Sequence, residues 1–255
     1  MTGPATFVKR STDHDPDFYA VEAAGLRWLA AAGPDAARVA QVVAVDDHRI
    51  ELERLQPARP DRAAAEAFGR ALAITHAAGA AAFGQPPEGW DGDGYIGRQR
   101  MSLRPDESWG RFYAEQRMLP FAGRARDIGH LSPAAYARVE RVAERLIAGE
   151  FDDEWPVARI HGDLWTGNVL FTDNGVVLID PAAHGGHGLT DLAMLHLFGA
   201  PYLEVMTNAY AEAAALPDGW ADLIGLHQLH PLLVHAVSHG PSYGLAAGQV
   251  AERYV

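Results

Sequence analysis

The chain has 255 residues, enough to bury a substantial core in one large domain or two lobes. Its 33 acidic residues outnumber 21 basic ones, and the net charge of −12 argues against a nucleic-acid or anionic-membrane surface. Cysteine is absent, which excludes disulfides, thiol nucleophiles and Cys-zinc centres. No apolar run reaches membrane-spanning length and Met1 to Arg10 has no signal-like segment, so a soluble cytoplasmic protein is expected.

The first element is a short strand, Thr6-Phe7-Val8-Lys9. Lys9 is the only lysine; the other 20 basic residues are arginine, so this one exception invites a reason. A compact charge on a flexible stem suits a phosphate. Asp15-Pro16 then reads as a helix start and Gly33 as its stop. Phe18, Gly25, Leu26 and Leu29 form the inward stripe, and Glu22 falls in the middle of it. A carboxylate there needs a cation, and Lys9 on the preceding strand is the natural partner.

Strands are predicted over Arg38–Val45 and Arg49–Leu55, turning at Asp46-Asp47-His48. Gln56-Pro57-Ala58-Arg59-Pro60 reads as a linker, which divides the chain into residues 1–56 and 57–255. Asp61–Ala78 is a helix with His76 on its inward face, where a hydrogen-bonded packing role is expected. Gly79 to Met101 is rich in loop residues, and Ser132–Gly149 is an amphipathic helix.

The organising stretch is Ile160-His161-Gly162-Asp163-Leu164-Trp165-Thr166-Gly167-Asn168, followed by a hairpin that turns at Asp173-Asn174-Gly175 and ends at Asp180. A three-residue loop with Gly175 in the left-handed position would pair Thr172 with Val176 and set Asn168 opposite Asp180. Asp163 lies at the same end of the hairpin. An Asp on a loop, an Asn five residues on and an Asp closing the next strand is the layout of phosphoryl transfer. One carboxylate orients or deprotonates the acceptor hydroxyl, while Asn168 and Asp180 hold Mg²⁺. Trp165 is placed either as a wall for the bound acceptor or as core packing. After Asp180 come Pro181 to Gly188, then a helix beginning near Thr190. The last helices carry His227, His230, His235 and His239 at spacings that can share a face, with no acidic or Cys ligand nearby and with Pro231 interrupting the helix start.

HGDLWTGN, with IDPA, GH and DLAMxxLFG downstream, resembles the fructosamine kinase (ketosamine 3-kinase) family, a branch of the protein-kinase-like and aminoglycoside-phosphotransferase-like superfamily. The resemblance runs from about Phe7 to Tyr243 and includes FVK…EAxxLxxL at Phe7, Val8, Lys9, Glu22, Ala23, Leu26 and Leu29. It implies an α+β fold with two lobes, the N-terminal sheet lobe truncated and the C-terminal lobe mainly helical. It further implies ATP and Mg²⁺ as cofactors, and phosphorylation of a sugar hydroxyl on a small-molecule or protein-bound ketosamine, a protein-deglycation repair role. In that pattern Asp163 is catalytic, and Lys9, held by Glu22, reaches the phosphates. Glu53 and Leu55 belong to the hinge whose backbone meets the adenine. Asp191 braces the catalytic loop, His161 is chiefly structural, and His235 matches a position near the acceptor. Gly79 to Met101, with Trp109, Phe112 and Arg117, resembles the family's substrate-side insert, but after Ile96-Gly97 the stretch Arg98-Gln99-Arg100-Met101-Ser102 departs from the Gln/Asn-containing stretch common in the family.

A second departure concerns the phosphate-covering loop. Kinase-like proteins usually place two strands and this loop before the lysine strand; here eight residues precede Lys9, and Thr2-Gly3-Pro4 cannot form that hairpin. The open sheet edge is expected to pair with a second copy, as a homodimer, or to be covered by a loop. Two rival functions follow: a phosphotransferase for another hydroxyl acceptor such as an aminoglycoside, and a nucleotide-binding pseudokinase.

Overall fold

The computed structural model describes residues 5–12 and 15–255; the expectation for Thr2-Gly3-Pro4 lies outside them. Strand β1 (Thr6–Arg10) pairs antiparallel with β4 (Arg49–Glu53), and β4 pairs with β3 (Val42–Asp46), for a sheet order β1-β4-β3. The predicted strand 38–45 is broken at Ala40-Gln41 into β2 (Arg38–Val39) and β3. The break has a topological cause. β2 leaves the small sheet and runs parallel to β9 (Gly175–Leu178) of the central hairpin, with Arg38 beside Val177. Helix α1 (Phe18–Ala30) packs across the sheet through Leu26 and Leu29, both fully buried. It begins later than Asp15-Pro16 suggests, because the Asp15 carboxylate is turned outward to Tyr95 Oη (2.9 Å) and Arg100 Nη2 (2.7 Å).

Helix α2 (Arg62–Ala77) starts where its cap residue places it: the Asp61 carboxylate accepts the Ala64 N–H at 2.9 Å. A small hairpin, β5 (Gly94–Ile96) and β6 (Gln99–Met101), follows. Helix α3 (Trp109–Phe112) continues through a π-helical stretch, Tyr113–Met118, into α4 (Leu119–Asp127). Helix α5 (Pro133–Ile147) is capped by Ser132 and leads to β7 (Ala158–Ile160). The central hairpin is β8 (Val169–Thr172) and β9, and β10 (His184–Gly186) returns antiparallel to β7. Four helices close the chain: α6 (Gly188–Phe198), α7 (Leu203–Ala213), α8 (Ile224–His239) and α9 (Pro241–Ala251). Helix α8 runs through Pro231, which does not interrupt it.

The hairpin register differs from the sequence expectation. Thr172 pairs with Gly175, not Val176, so the loop has two residues and Asn168 faces Ile179, whose N–H donates to Asn168 O at 3.2 Å. Thr172 accounts for the slip: its hydroxyl donates to Gly175 O (2.8 Å) and accepts from Asn174 N (3.2 Å), closing the turn one residue earlier.

Two apolar cores organise the fold. One lies among α3, α5, α8 and α9. The other is continuous from Leu26 and Ile50 of the sheet lobe through Phe68 and Leu72 of α2 to Leu178 and Met206, so the central hairpin is clamped between the small sheet and the helices. Gly69 of α2 permits a close approach of α7: a Cβ there would lie 2.2 Å from Met206 O. Among the described residues no helix is long and apolar enough to cross a membrane.

Candidate active site

The catalytic-loop candidate runs between β7 and β8 and is held by its backbone. Asp191, in the first turn of α6, accepts the His161 N–H (2.7 Å) and the Gly162 N–H (2.9 Å). The same carboxylate meets His76 Nε2 at 3.0 Å, and His76 Nδ1 meets Tyr210 Oη at 2.8 Å. Burial alone would raise the Asp191 pKa, but the hydrogen bond and charge of His76 together with His161 hold it below the ordinary carboxylate value. His161 spans the loop internally: one ring nitrogen meets Ile179 O (2.9 Å) and the other accepts the Asp163 N–H (3.2 Å). Gly162 is required twice over, with φ at +80° and a would-be Cβ 2.2 Å from Ala182 O.

These ties present Asp163 at the floor of a cavity of about 380 Å³ that Lys9, Glu22, Trp165, Asn168 and Asp180 also line. Burial pushes the Asp163 carboxyl up to about 7, against the opposing hydrogen bond from Asn168. The Asn168 amide is fixed through Nδ2, which donates to Asp163 O (2.8 Å), Asp163 Oδ2 (3.3 Å) and Asp180 O (3.4 Å). Its oxygen is therefore the atom available to a cation. Asp180 adopts φ +55°, a left-handed conformation that Asp tolerates better than most residues. The hairpin places Asn168 and Asp180 together although they are not directly opposed.

Lys9 joins the lobes. Its ammonium bonds Glu22 Oε1 at 2.7 Å and also pairs with Asp180. Burial pulls the Lys9 pKa down, but Glu22 and Asp180 outweigh it and hold the ammonium above its usual value. Burial raises the Glu22 carboxyl, opposed by Lys9. Lys9 and Asp180 also line a second cavity, of about 300 Å³, walled by Ala40, Leu52, Leu55 and Ile179. Glu53 and Leu55 lie here, at the end of β4, where backbone pairing finishes with Arg54 N–H to Ala5 O (3.0 Å). The Glu53 side chain is occupied elsewhere, accepting from Arg38 Nη2 (2.7 Å) and Gln41 N (3.1 Å).

Of the remaining sequence candidates, Trp165 is half exposed on the Asp163 cavity. His235 does not line that cavity. It packs tilted against Phe198, with centroids 4.7 Å apart, and Phe198 in turn meets Trp165 at 6.2 Å. Sequence reasoning missed Phe18, Tyr19 and Arg98, which also line the cavity, and Ala40 and Ile179 of the second cavity. Ile179 carried a signal, since it immediately precedes Asp180 on the hairpin. The others depend on long-range packing.

A small sheet lobe over a helical lobe, with a lysine–glutamate pair above an Asp–Asn–Asp floor, defines a protein-kinase-like phosphotransferase. A solved aminoglycoside phosphotransferase shares this fold at a TM-score of 0.60 with 17% identity, covering 100% of this chain and 88% of that one. The family profile of fructosamine kinase matches residues 2–255, and the chain belongs to that family. A candidate fructosamine-3-kinase of Thermobifida fusca, known by crystal structure, is 46% identical, with a TM-score of 0.89 over 98% of this chain and 85% of that one. A probable ketoamine kinase of Thermus thermophilus is 30% identical over 237 residues, 92% of this chain and 82% of that protein.

Proposed function

We propose that the protein transfers the terminal phosphate of ATP to a sugar hydroxyl of a ketosamine. The observation that carries this reading is that Lys9 and Asp180 line both cavities, so a nucleotide in one and an acceptor in the other would meet beside Asp163. Glu53 and Leu55 would bound the adenine, and residues 1–56 would serve as the nucleotide lobe. Lys9, positioned by Glu22, would grip the phosphates. Asp163 would orient the acceptor hydroxyl and take its proton as the new P–O bond forms and ADP departs with the electrons of the broken one. Trp165 would wall the sugar. His235 would act only indirectly, by backing Phe198.

The donor set fits Mg²⁺. Among the described residues no three His, Asp or Glu side chains converge as a metal centre, but a kinase magnesium takes few protein oxygens and completes its shell with phosphate and water. The Asp180 carboxylate and the Asn168 amide oxygen are such a pair. When bound, the ion would neutralise phosphate charge at the transfer point.

Incubation with Mg-ATP and a synthetic fructosamine, read by mass spectrometry, tests the proposal. Phosphorylated sugar from the wild type and none from Asp163→Asn is the expected result. ATP binding without product from any ketosamine would overturn it, in favour of another acceptor or a binding-only protein. The homodimer expected from the sheet edge is a separate proposal. Among the described residues β1 pairs only with β4, and Phe7 on it is 47% exposed. Light scattering showing a strict monomer would remove it.

A further inference from the structure

Resting on the reading of the Asp163 cavity as a ketosamine acceptor site, one more group of the acceptor can be named. Arg98 sits in the two-residue turn of the β5–β6 hairpin, because Ile96 pairs with Gln99 and Gly97 adopts φ +54°. The hairpin is anchored to the start of α1. Tyr95 Oη and Arg100 Nη2 both donate to Asp15, and the Tyr95 ring meets Phe18 edge-on at 5.1 Å. Arg98 is thus carried on a turn whose flanking strands are tied to the start of α1. It lines the Asp163 cavity and not the cavity that contains Glu53 and Leu55. Whatever anion it meets therefore belongs to the acceptor side.

The charges of the cavity sharpen this. Glu22, Asp163 and Asp180 are its carboxylates, and Lys9 is already paired with two of them. Arg98 makes no ion pair with any described residue, whereas its neighbour Arg100 is paired with Asp15. A solute matching this arrangement carries a cation and an anion. A ketosamine supplies the cation at its nitrogen; the anion must come from what is attached to that nitrogen or to the sugar. We infer that Arg98 binds the carboxylate of acceptors in which the sugar is joined to the amino group of an amino acid. A guanidinium pairs a carboxylate through two parallel hydrogen bonds. A phosphate on the sugar fits less well, since it would bring a dianion beside three carboxylates and the phosphates of ATP.

The test uses three acceptors: the fructose adduct of valine, the adduct of isobutylamine, which is the same amine without its carboxylate, and the isobutylamine adduct of a phosphorylated sugar. The wild type should show the lowest KM for the valine adduct. Arg98→Gln should raise that KM about tenfold while leaving the isobutylamine adduct and the KM for ATP unchanged, and Arg98→Lys should fall between. Equal wild-type KM values for the two unphosphorylated adducts, or equal losses for both in Arg98→Gln, would overturn the assignment. So would a preference for the phosphorylated sugar. Turnover of none of the three would overturn the ketosamine reading itself, and the assignment with it; turnover without discrimination removes only the role of Arg98.

Discussion

Asp191 and His161 are separated by 30 positions and joined by a 2.7 Å hydrogen bond from the His161 N–H to the Asp191 carboxylate. The Gly162 N–H fills the other oxygen, so the carboxylate fixes two consecutive peptides immediately before Asp163. Asp191→Asn keeps the shape but turns an amide NH₂ toward one of those donors. The expected result is a loss of about 2 kcal/mol in urea unfolding and a fall of about 10²-fold in kcat as Asp163 loses its position. The KM for ATP should be little changed, because the second cavity is untouched. A variant with wild-type kcat would show that turnover does not depend on this brace of Asp163.

The Lys9–Glu22 pair predicts a double-mutant cycle. Lys9→Met leaves the Glu22 carboxylate buried on α1 without its cation, at a cost of about 2 kcal/mol. Adding Glu22→Leu removes the orphaned charge, so the double variant should recover at least half of that loss while remaining inactive. Additive stability losses would mean that the two side chains do not depend on each other.

The same pair shows what could be read from the sequence. A solitary lysine and a carboxylate inside an apolar stripe were enough to join residues 13 positions apart, and the structure pairs them at 2.7 Å. The capped helix at Asp61 was legible for an equally local reason. The hairpin register was not, because the Thr172 hydroxyl, rather than the glycine alone, chooses where the turn closes. The parallel pairing of β2 with β9 was also hidden, since two residues carry no periodicity and their partner lies far along the chain. Nor could patterning reveal Arg117 as a buried arginine. It lies over the Phe112 ring at 4.4 Å and donates to Ser102 O at 2.7 Å, with burial pulling its pKa to about 9.

Stability should fall on mild acidification. Burial lowers the pKa of His161, His184, His227 and His230, that of His184 to about 3. The unfolded chain therefore binds more protons than the folded one below the ordinary histidine value of about 6.5, and the folded state loses stability as the pH falls through that value. Each such histidine adds a slope of about 1.4 kcal/mol per pH unit below it. Asp163, pushed by burial to about 7, and Glu22, also raised, work the other way by keeping protons that the unfolded chain releases. Urea midpoints should therefore change little from pH 7.5 to 9 and drop between pH 6.5 and 5 by the histidine protons less those the two carboxyls retain. His227→Gln should shallow the slope; a pH-independent midpoint would mean that these rings are protonated in the fold.

Gly162→Ala tests the loop directly. The added methyl would meet Ala182 O at 2.2 Å in a backbone already at φ +80°, so both the conformation and the space oppose it. A loss of about 2–3 kcal/mol is expected, accompanied by loss of turnover, because Gly162 and Ala182 join the loop that carries Asp163 to the segment that follows Asp180. Crystals of a stable and active variant would require the loop to have another way of holding Asp163.

Trp165 and His235 can be separated by the acceptor they affect. The Trp165 indole is 40% exposed on the Asp163 cavity, a large apolar surface left open where a sugar would stack. Its ring meets Phe198, and Phe198 meets His235, which also stacks on His239 at 4.9 Å. Trp165→Ala should therefore raise the acceptor KM about tenfold or more, while the KM for ATP stays at the wild-type value. His235→Ala removes only the backing of Phe198 and should move the acceptor KM by a small factor. In a Trp165→Ala background it should have almost no further effect, since the contact it supports is already gone. A large, independent effect of His235→Ala would instead place the imidazole against the acceptor and require the aromatic row to open when substrate binds.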